Sequence, residues 1–346
     1  MDPHLTDHLR KATGDSHQTL LTSVLPSLLR SIARTATALR SSHAVTQAGS
    51  DNVFGDAQLN VDVLAENIFR EEIAACPAIV TASSEEDPVE RSSTSISTSA
   101  STSNDEKEDE KEVYSLAFDP LDGSSIIAPN WSVGSIIGIW ANTTTILNQS
   151  PLTSQIAAIL GVYGPRTTAI IAIRTPGREE NAVCAEVSIS ADDNTFHLQR
   201  SDLILSSDGP ASETKKTTTT TTKYFAPANL RAASENEKYR SLITYFIDER
   251  YTLRYSGGLV PDVVHALVKG HGIYVSPVTD TSKAKLRRAY ELLPIALVVE
   301  CAGGAAIDPV SGERVLERGL GDLGEKGGLI FGCMDEVERV RGMLLG

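Results

Sequence analysis

Apolar residues recur at helical spacing over residues 18–40, where Leu21, Val24, Leu25, Leu28, Ile32 and Ala36 share one side of the repeat. The same period returns over 59–75 with Leu64, Ile68 and Ile73. Short apolar runs at 78–81, 113–118, 133–140 and 166–173 read as buried strands. Segments 185–190 and 195–199 bracket Ala191-Asp192-Asp193-Asn194, the pattern of a hairpin. Further on, 235–249 and 260–269 read as helices, 272–276 as a strand, 290–302 as a buried helix and 335–345 as a terminal helix. Helices and strands alternate without an internal repeat, which predicts an α/β layered fold.

Two stretches break this pattern. Residues 87–112 offer almost nothing to bury and hold eight acids against three bases, so they are expected to form a disordered insert. Residues 207–222, with six consecutive threonines, fall where a linker could lie. The expected organisation is a tail over 1–14, an N-terminal domain over 15–206, the linker, and a C-terminal domain over 223–346.

The formal net charge is −14 and no basic stripe is present, so a nucleic-acid partner is not expected. An acidic protein can still bind phosphate if metal ions reverse the local field. No apolar run reaches the ~18 residues needed to span a bilayer, and no membrane partner is expected. The N-terminus lacks a secretory pattern. Cys76, Cys184, Cys301 and Cys333 are far apart and read as buried thiols of a reducing compartment, with the cytoplasm as the expected location.

The chemistry concentrates in Asp119-Pro120-Leu121-Asp122-Gly123-Ser124-Ser125, at the end of an apolar strand. Pro120 and Gly123 favour a turn that would let both carboxylates face one pocket. Hard cations take oxygen ligands, backbone carbonyls included, and the Gly123-Ser124-Ser125 amides and hydroxyls could donate to phosphate. Read alone, the segment fits an ordinary Asp-rich turn equally well. Glu85-Glu86 directly follows another strand, Asp62 interrupts an apolar pattern beside Asp56, and Glu291 opens the buried helix. Any one of these could be a surface acid. Gly319-Leu320-Gly321-Asp322-Leu323-Gly324 matches a dinucleotide fingerprint but opens no βαβ unit, and reads as a loop. His265 is read as a packing residue without a catalytic role.

Together these blocks resemble the fructose-1,6-bisphosphatase and sedoheptulose-1,7-bisphosphatase family. The matching stretches are Phe54-Gly55-Asp56, Val61-Asp62-Val63-Leu64, Ser84-Glu85-Glu86, Phe118 to Ser125, Val133-Gly134-Ser135-Ile136, Tyr163-Gly164-Pro165-Arg166-Thr167-Thr168 and Lys285-Leu286-Arg287. Ser124-Ser125-Ile126-Ile127, the run from Lys223 to Ala232 and the run from Tyr251 to Asp262 look closer to the sedoheptulose branch.

The resemblance implies a layered α-β-α-β-α sugar-phosphatase fold with two mixed-sheet subdomains. It implies magnesium-dependent removal of the C1 phosphate of a sugar bisphosphate, with two or three ions per site and manganese as a possible substitute. Glu85, Glu86, Asp119, Asp122, Glu291 and the Leu121 carbonyl would ligate metal. Asp56, Asp62 and Glu86 would serve catalysis by activating water. Asp122, Gly123, Ser124 and Ser125 would hold the transferred phosphate, and Asn229, Arg254, Tyr255 and Lys285 the sugar and its distal phosphate. Family members are homo-oligomers, dimers or tetramers, and the arginine at position 254 can come from a neighbouring subunit.

Three departures qualify the likeness. Ala128 stands where the family usually has an acid. No cysteine pair precedes Phe54, so thiol regulation is not expected. The first helix lacks the loop that binds nucleotide in animal fructose bisphosphatases, which predicts insensitivity to AMP. Alternatives are a fructose-1,6-bisphosphatase, a dual-specificity sugar bisphosphatase, an inositol-phosphate phosphatase, and a non-catalytic regulatory homologue.

Overall fold

The computed structural model describes residues 1–51, 57–93, 112–190, 192–207 and 222–346. The expectations placed on Asp56, on 94–111 of the insert and on 208–221 of the linker lie outside the described residues.

Three helices come first: α1 (Pro3–Thr13), α2 (Leu25–Ser41) and α3 (Asn60–Ala74). The expected tail over 1–14 is thereby corrected. Asp2 caps α1 by accepting from the Leu5 amide at 2.7 Å, Pro3 sits in the first turn, and Leu5, Leu9 and Ala12 are fully buried. The helix expected over 18–40 is divided, because a π turn (Leu20–Val24) precedes α2. In α3 the buried stripe is Val61, Ala65, Ile68 and Phe69, which leaves Leu64 outside it at 38% exposure.

An eight-stranded sheet comes next, made of β1 (Ile79–Ser84), β2 (Arg91–Ser92), β3 (Tyr114–Asp122), β4 (Val133–Ala141), β5 (Gln155–Tyr163), β6 (Thr167–Ile173), β7 (Val183–Ser190) and β8 (Thr195–Arg200). Its order is β8-β7-β6-β5-β4-β3-β1-β2. The pair β1–β3 is parallel and the others antiparallel. At the two ends of the stretch expected to be disordered, residues 87–93 and Glu112 are fastened to the fold. Thr81 pairs with Ser92, Glu90 accepts from the Ile146 amide at 2.6 Å, and Glu112 accepts from the Thr19 amide at 2.7 Å.

The second sheet contains β9 (Tyr224–Pro227), β10 (Thr252–Leu253), β11 (Ile273–Ser276), β12 (Ala305–Ile307) and β13 (Leu329–Gly332), in the order β10-β9-β11-β13-β12. It too is mixed. Its helices are α4 (Glu237–Asp248), α5 (Leu259–Lys269), α6 (Leu293–Cys301) and α7 (Met334–Leu345). The buried helix expected over 290–302 starts as a π turn (Arg288–Leu292) and becomes regular at Leu293, followed by Pro294.

Three apolar cores define five layers. The first joins α1–α3 to one face of the large sheet. The second packs α5 and α6 between the two sheets, with Leu293 through Val299 buried on every side. The third joins the far face of the small sheet to α4 and α7. The order α-β-α-β-α results from each sheet burying both faces. Among the described residues, no helix is long and apolar enough to cross a membrane.

Candidate active site

The site is built at the carboxyl ends of the two parallel strands. The ladder runs one residue past β1, where the Glu85 amide donates to the Phe118 carbonyl at 3.0 Å. That register sets Glu85-Glu86 beside Asp119.

Residues three apart on a regular strand point to opposite faces. Asp119 and Asp122 escape this rule through a bulge. Asp119 pairs with Ile136 and Asp122 with Gly134, so three steps on β3 match two on β4. The extra residue shifts the side-chain alternation by one and turns both carboxylates to the same side. Pro120, which donates nothing to a ladder, lies within the bulge. Its carbonyl accepts from the Ser135 hydroxyl at 2.6 Å. With that proton committed, the Tyr163 hydroxyl donates to Ser135, also at 2.6 Å. The bulge is therefore pinned from beneath.

Asp119, Asp122 and Glu291 are all buried, and one carboxylate oxygen of each lies within 4.8 Å of the others. Glu291 reaches the cluster from the π turn, where it accepts from the Arg287 amide. Burial pushes the Asp119 and Glu291 carboxyls well up from their ordinary range, with the Glu85 charge adding to it. Asp122 is pushed up to about 6 by burial, although the Val260 and Leu259 amides at the start of α5 oppose the rise. Those amides donate to its two oxygens at 2.7 and 3.2 Å. Buried carboxylates that repel one another are a donor set suited to hard divalent cations, which take oxygen ligands. Glu85 is also held by the buried Arg287 at 2.8 Å.

Asp62 lies in the first turn of α3 and accepts from the Leu59 amide at 2.9 Å. Its other oxygen is buried with no partner among the described residues, and burial raises its carboxyl to about 6. Glu86 is raised to about 7 by burial, against a hydrogen bond from Gln58, with Asp62 and Glu85 adding to the rise. Beyond Asp122, Gly123 takes the left-handed conformation at φ 96° and starts the short helix Ser124–Ile127. A side chain there would be strained and would press on Val133. The exposed Ser124 and Ser125 head this turn.

These residues line one cleft of about 640 Å³ between the two sheets. Asp62, Glu85, Glu86, Asp119, Leu121, Asp122, Gly123, Ser124, Ser125, Asn229, Tyr255, Lys285 and Glu291 all face it. Arg254 does not. It bonds the carbonyl of Leu253 at 2.7 Å and lies over the Tyr224 ring, outside the cleft of its own chain. His265 packs edge-on against the same ring.

Sequence reasoning missed Arg231, Lys283 and Asp262, which also line the cleft, and Arg287, which braces Glu85. Arg287 stands in the Lys285-Leu286-Arg287 block, where a signal existed. Arg231 lies in the run from Lys223 to Ala232, where a signal also existed, whereas Lys283 lies among polar loop residues, where a cation carries no signal.

An acid-lined cleft with a helix turn for phosphate defines a metal-assisted phosphatase on a two-sheet scaffold. Comparisons with known proteins agree. Residues 5–183 match the family described as fructose-1-6-bisphosphatase, N-terminal domain, and 218–345 match its C-terminal domain. The chloroplastic sedoheptulose-1,7-bisphosphatase of Spinacia oleracea is 35% identical, over 99% of this chain and 78% of that protein. A class 1 fructose-1,6-bisphosphatase of Geotalea uraniireducens is 30% identical, over 84% of this chain and 81% of that protein. A crystal structure from Toxoplasma gondii, assigned as a sedoheptulose-1,7 bisphosphatase, superposes with a TM-score of 0.82. It is 32% identical and covers 99% of this chain and 98% of its own. The chain belongs to the fructose-1,6-bisphosphatase family and is an enzyme that hydrolyses sugar bisphosphates with the aid of divalent metal.

Proposed function

We propose that the chain hydrolyses the C1 phosphate of sedoheptulose 1,7-bisphosphate, releasing sedoheptulose 7-phosphate and inorganic phosphate, with magnesium as its ion. The observation that carries this is the convergence of Asp119, Asp122 and Glu291 at the head of the phosphate-facing turn. The likeness to the spinach enzyme supports the seven-carbon sugar.

Two or three magnesium ions, replaceable by manganese, would be held by Glu85, Glu86, Asp119, Asp122, Glu291 and the Leu121 carbonyl. When bound, they neutralise phosphate charge and favour displacement of the leaving oxygen. The chain's own groups do the rest. Gly123, Ser124 and Ser125 hold the phosphate in place, and Asp122 shares in this. Glu86 and Asp62, raised to about 7 and about 6, are placed to accept a proton from the attacking water near neutral pH. Asp56 joins them in this reading. Asn229 and Tyr255 face the sugar, and Lys285 its second phosphate. Arg254, turned out of its own cleft, would serve a neighbouring subunit of a homo-oligomer, which light scattering of the purified protein tests. Four free cysteines fit a cytoplasmic location, which cell fractionation tests.

Phosphate release from sedoheptulose 1,7-bisphosphate, with magnesium and with a chelator, tests the reaction. Absence of metal-dependent release would refute it. The 30% identity to a bacterial fructose-1,6-bisphosphatase favours one second reading, activity on the six-carbon sugar. The ratio of kcat/KM for the two substrates separates them.

A further inference from the structure

A sugar bisphosphate carries hydroxyl oxygens between its two phosphates, and a site that selects a sugar must offer them hydrogen-bond donors. A contact inferred for those hydroxyls rests on the proposed reaction. Donors are scarce at the reacting end of the cleft, because its carboxylates carry none once ionised. In the proposed reaction the donors of Gly123, Ser124 and Ser125 are taken by phosphate. The Asn229 side-chain nitrogen is also committed, donating to the Pro277 carbonyl at 2.8 Å and to the Ser282 carbonyl at 3.3 Å.

Tyr274 can fill that need. It lies on β11, the central strand of the small sheet, paired with Ala226 on one side and Phe331 on the other. Side chains two apart on a strand share a face, and Tyr274 and Ser276 both line the cleft. The Tyr274 ring stacks on Phe331, with centroids 5.0 Å apart and planes inclined by 13°. The residue is only 5% exposed. A tyrosine hydroxyl so buried ordinarily has a hydrogen-bond partner, yet that of Tyr274 has none among the described residues. Burial pushes this phenol well up, and Tyr255, Asp262, Glu291 and Asp122 add to the rise. Glu291 and Asp122 belong to the acid cluster. Tyr255 faces the sugar, and Asp262 accepts from the amide of the next residue, Ser256, at 2.8 Å. The Tyr274 hydroxyl therefore sits where the reacting end of the cleft meets the sugar side, and it keeps its proton to donate.

We propose that Tyr274 is a substrate-binding residue, whose hydroxyl donates to a hydroxyl oxygen on the carbon chain beside the reacting phosphate. A phosphate at that point would be repelled by the Asp262 charge, whereas a sugar hydroxyl is neutral. The stack on Phe331 holds the donor in place before substrate arrives, so little ordering entropy is spent on the contact. The contact reads the sugar itself and not either of its phosphates.

Tyr274→Phe tests this, because it deletes the hydroxyl and keeps the ring on Phe331. The variant should melt with wild type. Its kcat/KM for sedoheptulose 1,7-bisphosphate should fall about 10-fold, the scale of one hydrogen bond. Product inhibition locates the loss. The inhibition constant of sedoheptulose 7-phosphate, which keeps the sugar hydroxyls, should rise by a similar factor. That of inorganic phosphate, which has no sugar, should stay within about twofold. A kcat/KM within about twofold of wild type, or an equal rise in both inhibition constants, would overturn the proposal and leave Tyr274 a packing residue. Wild-type protein that releases no phosphate from either sedoheptulose 1,7-bisphosphate or fructose 1,6-bisphosphate would instead sink the underlying reading, and the contact with it.

Discussion

The Val260 amide donates to the Asp122 carboxylate at 2.7 Å, joining an acid of the large sheet to the first turn of α5. Gly134, the ladder partner of Asp122, makes that approach possible. A Cβ on Gly134 would lie 2.5 Å from Val260 Cβ and 2.7 Å from the Gly161 carbonyl oxygen. Neither is the free end of a flexible chain, so α5 would have to move. Gly134→Ala should destabilise the protein by about 1–3 kcal/mol. It should also lower kcat/KM by about 10²-fold, because an ångström of misplacement at a reacting centre costs that much. Thermal melts and phosphate release check both, and full activity at unchanged Tm would contradict the packing argument.

Asp119 shows the opposite balance between stability and function. Burial pushes its carboxyl up, and the charges of Glu85, Asp122 and Glu291 add to the rise. Its one local bond, accepted from the Leu121 amide at 2.9 Å, survives in the amide isostere. Asp119→Asn should therefore raise the Tm of the metal-free protein. It should lower kcat by at least about 10²-fold, since loss of even outer partners of a metal site reaches that scale. The gain in Tm on adding magnesium should shrink. A melt in chelator and a melt in magnesium, run on both proteins, give the answer.

The long periodic segments declared themselves in the sequence, and the Asp119–Asp122 motif pointed to phosphate chemistry. The convergence of the two carboxylates was expected from a turn at Pro120 and Gly123, but its means was not legible, because both aspartates stay on one strand and only the pairing with β4 reveals the bulge. Strand β5 escaped because Gln155-Ile156-Ala157-Ala158-Ile159-Leu160-Gly161 is rich in residues that do not favour strands. Helix α1 escaped although its signal was local, an Asp-Pro cap ahead of Leu5, Leu9 and Ala12. Arg231 and Lys283 were hidden for another reason. The Asn229 bonds join the segments that carry them, across about fifty residues of chain.

Arg287 supplies a stability prediction with its own control. It is 2% exposed, and its guanidinium bonds Glu85 at 2.8 Å. Removing one partner of a buried pair strands the other charge and costs about 3–5 kcal/mol. Glu85 retains 23% exposure, which places Arg287→Met at the low end. Arg34 pairs with Glu71 at the surface, where the side chains are 41% and 63% exposed. Arg34→Ala should cost no more than about 1 kcal/mol. Urea unfolding of the two variants should rank them in that order, and equal losses would refute the distinction.

The raised acids make stability depend on pH in a set direction. Asp62 and Asp122 lie at about 6 and Glu86 at about 7, against ordinary values of 3.8 for the aspartates and 4.5 for the glutamate. Between those limits the folded chain binds more protons than the unfolded chain, so stability falls as pH rises. Metal-free protein should therefore lose Tm on passing from pH 5 to 7. Glu86→Gln isolates one contribution, because glutamine cannot titrate. Its Tm should exceed that of wild type at pH 7.5 and approach it near pH 5. Magnesium competes with protons for the same oxygens, so its stabilising effect should grow across the same interval. Differential scanning calorimetry of both proteins, with chelator and with magnesium, measures all three trends. A metal-free difference between the proteins that does not change with pH would show that Glu86 is not protonated in that range.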